Sequence, residues 1–146
     1  MHVTDIGRFG YSKVRAAPTD ADVVHELEHS PQAVGAARRL ARQLLDRWKV
    51  ADVDTVLLVV SELVTNALEH ALPPVILSVR RDSVARQVWV QVTDGGAAPR
   101  GGAWAASCAD EEHGRGLDIV AALTTDHGEY TLANGAATRW ARFSAA

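Results

Sequence analysis

The sequence predicts an α/β two-layer sandwich in which helices cover one face of a mixed, mostly antiparallel sheet. Three observations carry this. Two consecutive stretches near the N-terminal side hold apolar residues at helical spacing. Later runs rich in β-branched and aromatic residues group into two hairpins. In the run Gln87 to Thr93, Val88, Val90 and Val92 alternate with Trp89 and Gln91, so one sheet face is buried and the other turned away.

The elements follow in order. Residues 1–21 mix Gly7, Gly10 and Pro18 with scattered charges and no period, and are expected to form a flexible N-terminal arm, with the domain spanning 22–146. Val23 to Glu28 is the first strand. Ser30-Pro31 supplies an N-cap residue and a proline at the first helical position. The helix it opens runs to about Trp48, with Val34, Ala37, Leu40, Ala41, Leu44, Leu45 and Trp48 on one face. Asp52 or Asp54 caps a second helix, whose stripe Val53, Val56, Leu57, Val60, Val64, Ala67, Leu68 and Ala71 is stopped by Pro73-Pro74. Val75 to Val79 and Gln87 to Thr93 form a hairpin across the charged stretch Arg80 to Arg86. Asp94 to Gly116 lacks a hydrophobic period, and a loop of that length inside a compact domain points to a functional lid or disorder. Leu117 to Thr124 is a short helix, and Gly128 to Leu132 with Ala137 to Phe143 make the closing hairpin.

Composition narrows the function. The chain has 146 residues, 47% hydrophobic and 23% charged, which is one ordinary globular domain. Its net charge of -3 provides no basic surplus for neutralising phosphates, so no direct nucleic-acid partner is expected. The lone Cys108 excludes a disulfide scaffold and fits a reducing compartment. No stretch of eighteen apolar residues and no secretory h-region occur, so no membrane association and a cytoplasmic location are expected.

Four short motifs carry chemistry. In Ser61-Glu62-Leu63-Val64-Thr65-Asn66-Ala67-Leu68-Glu69-His70, the spacing stacks Glu62, Asn66 and either His70 or Glu69 on one helical face. An amide oxygen is a hard ligand suited to Mg²⁺, and a carboxylate one turn away can orient or deprotonate a nucleophile. Taken alone, the same stripe reads as a solvated helix face. Asp94-Gly95-Gly96 closes a buried strand. Its carboxylate could accept from an exocyclic amine such as that of adenine, although an Asp-Gly pair is more often only a turn. In His113-Gly114-Arg115-Gly116-Leu117 a Gly-x-Gly runs into a helix start, whose free N–H groups suit a phosphate. Gly135-Ala136-Ala137-Thr138 adds a hydroxyl at the last hairpin.

In this order the four resemble the N, G1, G2 and G3 boxes of the GHKL ATPase superfamily, whose ATP site is the Bergerat fold. The stretch SELVTNALEHA, followed by GRGL and GAATRW, resembles the anti-sigma-factor serine kinases and their small actinobacterial relatives. The resemblance covers about Asp22 to Phe143. It implies ATP and Mg²⁺ as cofactors, with Asn66 coordinating Mg²⁺ and Glu62 as the activating base. Asp94 would read the adenine amine, Gly96 would shape its pocket, and Thr138 would lie beside the base. Gly114, Arg115, Gly116 and Leu117 would wrap the phosphates, with His70 also in the nucleotide-binding set, and Ala97 to His113 would be the ATP lid. The fuller G1 pattern has a further glycine where this chain has Ala98.

The activity so implied is that of a protein serine/threonine kinase controlling transcription by partner switching. It would phosphorylate an anti-sigma-factor antagonist and sequester a sigma factor or similar partner, with a homodimer compatible with that role. The alternative is a nucleotide-dependent binding module without phosphotransfer. The ATPase domain of a histidine kinase fits less well, since no phosphoacceptor-histidine helix precedes the domain.

His25-Glu26-Leu27-Glu28-His29 satisfies the H-E-x-x-H zinc pattern, which needs both histidines on one helical turn. The helix start after Ser30 argues against this. On a strand the two would lie about 13 Å apart, too far for one zinc. Cys108 is expected to be an incidental thiol. The four tryptophans, Trp48, Trp89, Trp104 and Trp140, are expected to be spread out rather than clustered, with Trp104 of the lid a candidate partner contact.

Overall fold

The computed structural model describes residues 21–99, 118–120 and 122–144. Strand β1 is Ala21–Leu27 and helix α1 is Gln32–Arg47. Helix α2, Val53–His70, leads into β2, Val75–Asp82, and β3, Gln87–Asp94. The chain closes with β4, Asp126–Thr131, and β5, Ala137–Ser144. Residues 118–120 and 122–123 are helical, inside the expected short helix. The five strands lie in the order β1-β2-β3-β5-β4, and every described pairing is antiparallel. The α/β two-layer reading holds, without a parallel pair among the described strands.

Each helix buries the stripe that its sequence period predicts. Ala33, Ala37, Ala41, Leu44 and Leu45 of α1 meet Val56, Leu57, Val60, Leu63, Val64 and Ala67 of α2 in one core. Beneath them lie Leu77 and Val79 of β2, Val88, Val90 and Val92 of β3, and Ala141 and Phe143 of β5. The alanines of α1 matter here because a short side chain lets two helices approach closely. Arg38 ties the pair further, donating from Nη1 to Ser61 Oγ at 2.7 Å and to the Leu57 carbonyl at 3.3 Å. No described helix is long and apolar enough to cross a membrane.

The caps differ in part from expectation. Asp52 caps α2, accepting from the Thr55 amide at 3.3 Å and the Thr55 hydroxyl at 2.6 Å. For α1 the cap position falls on Pro31 rather than Ser30, and no side chain caps it. Ser30 contributes its carbonyl to the Ala33 amide at 3.0 Å, while its hydroxyl is buried without a hydrogen-bond partner.

The outer sheet face corrects the expectation for the tryptophans. Register places Trp140 opposite Gln91, one diagonal step from Trp89, and the two rings meet with centroids 5.5 Å apart and planes tilted by 40°. Arg80 and Arg142 lie over the Trp89 ring at 5.1 and 5.6 Å. Gly128, opposite Trp140, leaves the space the indole fills, since a Cβ there would come within 2.8 Å of it.

The H-E-x-x-H segment divides between β1 and the turn that follows it. His25 is paired across from Leu77, while the His29 ring nitrogen sits 3.3 Å from the Ala71 carbonyl oxygen. The two histidines therefore do not share a helical turn.

Candidate functional site

Along α2, Glu62, Asn66 and His70 succeed one another at intervals of four, about 6 Å per step, at the margin of the buried stripe. All three are half-buried, whereas Glu69 is exposed with its Oε1 3.9 Å from His70 Nε2. They form a polar row flanked by the core residues Leu63 and Ala67.

The end of this helix is strapped to the turn after β3. The Leu72 amide donates to the Gly96 carbonyl at 2.8 Å, the Gly95 amide to the Leu72 carbonyl at 2.7 Å, and the Ala98 amide to the His70 carbonyl at 2.9 Å. Ala71 and Ala97 form an antiparallel bridge within the same strap. Only glycine fits at position 95, because a Cβ there would lie 2.3 Å from the Pro73 carbonyl oxygen. Gly96 has φ +109°, and its Cβ would come within 2.6 Å of the Gly135 carbonyl oxygen. The C-terminal end of α2, the turn after Asp94 and the Gly135 turn thus meet, although the sequence separates them by up to some seventy residues. Ala98, where the family pattern has glycine, carries one of the three strap hydrogen bonds.

Asp94 lies at the centre of this convergence, with a side chain only 2% exposed. Its parity with Val92 sets it on the helix side of the sheet. Oδ1 accepts from the Gly96 amide at 2.8 Å. Oδ2 faces Nη1 of Arg139 at 3.6 Å, outside hydrogen-bond range. A buried carboxylate is costly unless paired, and here one backbone donor and one guanidinium supply the compensation. Arg139 is itself held by Glu129, its Nε donating to Oε1 at 2.9 Å.

Thr138 occupies a different place from the one the motif suggested. It pairs with Thr93, the two hydroxyls share a hydrogen bond of 2.9 Å, and the residue is wholly buried. Strand alternation directs it to the sheet face opposite that of Asp94. The neighbour that meets Asp94 is Arg139, which sits across from Val92. Sequence reasoning passed over Arg139 and Glu129. The register of the last hairpin was the signal that would have found them, since it puts both on the strand face that Asp94 shares.

Gly114, Arg115, Gly116 and Leu117 lie outside the described residues, as do Trp104, Cys108 and the expected lid beyond Pro99. Among the described residues, no three or more His, Cys, Asp or Glu side chains gather into a metal-holding group. Glu62 and Asn66 fit a Mg²⁺ ion that takes most of its ligands from phosphates and water, which is the usual habit of that ion. On another part of the surface, His29, Ser30, Pro31, Val34, Thr65, Leu68 and Glu69 line a cleft of about 360 Å³ between the start of α1 and α2. It includes none of Glu62, Asn66, His70 or Asp94.

Comparison with known proteins bears on this arrangement. Residues 27–142 match the family described as histidine kinase-like ATPase domain. No curated protein matches the chain by sequence. Among solved structures, the chain is similar to the crystal structure of the RsbU and RsbW domains of Rv1364c from Mycobacterium tuberculosis, with a TM-score of 0.65 and 18% identity. The match covers 85% of this chain and 32% of that one, so the chain spans about a third of the length of that protein. At this identity the likeness is one of fold.

Proposed function

The chain belongs to the histidine kinase-like ATPase family, and from that premise we propose that it is an ATP- and Mg²⁺-binding regulatory kinase of the anti-sigma-factor type. The observation that supports the reading is the meeting of the C-terminal end of α2, the Gly95-Gly96 turn after Asp94 and the Gly135 turn. A buried carboxylate with one oxygen held by a backbone amide and the other ion-paired to Arg139 at 3.6 Å has the charge to accept from an exocyclic amine.

In this reading Asp94 accepts from the adenine amine, and Gly96 lets the backbone approach the base. Bound Mg²⁺·ATP supplies the transferable phosphoryl group and the charge that steadies it. Asn66 offers its amide oxygen to the cation, and His70, one turn on, adds a polar contact toward the nucleotide. Glu62, one turn earlier, accepts the proton of the attacking hydroxyl. The resemblance assigns Gly114, Arg115, Gly116 and Leu117 to the phosphates. The acceptor is a serine or threonine of an anti-sigma-factor antagonist, and the regulated partner a sigma factor, with release and capture alternating as the antagonist is phosphorylated. The setting is cytoplasmic, and a homodimer is compatible with it.

One observation favours a second reading, a nucleotide-dependent binding module without transfer. Ala98 stands where the family pattern has glycine and is pinned to the His70 carbonyl, which restrains the start of the lid. Incubation with γ-labelled ATP, Mg²⁺ and small candidate antagonist proteins separates the two. Label on a partner serine or threonine supports the kinase. Bound ATP with no label transferred supports the module, and absence of ATP binding refutes both.

A further inference from the structure

We infer that Arg139 is the positioning residue for Asp94. Held by Glu129, its guanidinium keeps the buried carboxylate charged and in place, and so governs how well that carboxylate accepts from a nucleotide. The inference rests on the nucleotide reading above and names the residues on which its acceptor depends.

Asp94, Arg139 and Glu129 form an ionic chain across the neighbouring strands β3, β5 and β4. Arg139 sits across from Val92, which shares its sheet face with Asp94, and Glu129 sits across from Arg139. Arg139 Nη1 is ion-paired with Asp94 Oδ2 at 3.6 Å, and its Nε donates to Glu129 Oε1 at 2.9 Å. A guanidinium is planar and rigid, so a bond that fixes Nε also fixes the direction of Nη1. Side-chain exposure climbs along the chain, from 2% at Asp94 through 22% at Arg139 to 63% at Glu129. The charge that compensates the interior carboxylate is therefore itself anchored from β4, at the edge of the described sheet.

Arg139 thereby does more than stabilise the sheet. A carboxylate as deeply buried as Asp94 keeps its charge only with a partner, and without one it takes a proton or turns toward water. Either response removes the charged acceptor that an exocyclic amine would meet. The Gly96 amide holds Oδ1 at 2.8 Å, which gives direction but only the partial charge of a backbone dipole. The full positive charge comes from Arg139.

The test is a double-mutant cycle read by calorimetric titration of Mg²⁺·ATP, with urea midpoints reporting that each variant is folded. Arg139→Met keeps the apolar stem and loses the charge. It should weaken ATP binding roughly tenfold, the lower end of what a hydrogen bond to a charged group contributes. Arg139→Lys, which restores a charge without the rigid fork, should recover part of that loss. In the Asp94→Asn background, Arg139→Met should change ATP affinity by less than about twofold, because no carboxylate charge remains for it to hold. Packing alone would cost the same in both backgrounds. Glu129→Gln should weaken binding by about two- to fivefold, the range of an exposed ion pair, and by nothing further beside Arg139→Met.

A folded Arg139→Met variant that binds ATP as tightly as wild type, or more tightly, overturns the inference. So does an equal cost of Arg139→Met in the wild-type and Asp94→Asn backgrounds. Should Arg139→Met not fold, Arg139→Lys and Glu129→Gln carry the same cycle against Asp94→Asn. A wild-type chain that binds no ATP removes the nucleotide reading and this role with it, whereas ATP binding indifferent to Arg139 removes the role alone.

Discussion

Gly95→Ala probes the strap that assembles the site. The new Cβ would lie 2.3 Å from the Pro73 carbonyl oxygen and 2.9 Å from that of Leu72. Both are backbone atoms, so no side chain can swing aside, and the segment leaving α2 must part from the segment leaving β3. Three hydrogen bonds join those segments, from the amides of Leu72, Gly95 and Ala98. At a net contribution near 1 kcal/mol each, their loss should cost about 2–4 kcal/mol. Urea unfolding followed by tryptophan fluorescence reads this as a lower midpoint at unchanged slope. Gly135→Ala is the control. Among the described residues its Cβ would meet nothing within 4 Å, and its φ of +95° is strained, so it should cost about 1–2 kcal/mol. A Gly95→Ala midpoint within about 0.5 kcal/mol of wild type would refute the strap as a structural tie.

Three further outcomes are expected. Gly35→Ala, in α1, should stabilise the fold by about 0.5–1 kcal/mol, because the one neighbour of the new Cβ among the described residues is the far end of the Arg39 side chain, 3.4 Å away; a lower urea midpoint would contradict this. Arg38→Ala removes two hydrogen bonds between the helices and should cost about 1–3 kcal/mol by the same measurement, with no loss expected if Arg38 were a surface charge. In the proposed chemistry Glu62→Gln should keep ATP binding while phosphotransfer falls by roughly a hundredfold or more, whereas Asn66→Ala should weaken binding only when Mg²⁺ is present. Titrations with and without the cation, beside a transfer assay, distinguish the two roles, and wild-type transfer by Glu62→Gln would remove Glu62 as the base.

The parts of the fold that follow from local period were legible in the sequence. Both helices lie where their apolar stripes put them, and Val88, Val90 and Val92 face the core as their alternation requires. Parts that depend on register were not. The Trp89–Trp140 ring contact needs the pairing of β3 with β5, which places Trp140 opposite Gln91. The same pairing decides whether Thr138 or Arg139 meets Asp94. One residue along a strand reverses the face, so a motif match at Thr138 could not show on which side of the sheet its hydroxyl lies. The strap was hidden for another reason. The requirement for glycine at position 95 comes from the carbonyls of Leu72 and Pro73, whose proximity only the folded chain supplies. Ser30 shows the limit at a helix boundary, where a good capping residue fell one position short and left its hydroxyl without a partner.

The role of Asp94 is the centre of this account, and titrating Mg²⁺·ATP into the wild-type chain and into Asp94→Asn tests it most directly. Asn keeps the shape but loses the charged acceptor, and a charge-assisted hydrogen bond is worth about 1.5–3 kcal/mol. The wild-type chain is therefore expected to bind ATP, and Asp94→Asn to bind it roughly ten- to a hundredfold more weakly while its urea midpoint shows it still folded. Equal ATP affinity in a folded Asp94→Asn variant would contradict the assignment of Asp94 as the residue that reads adenine.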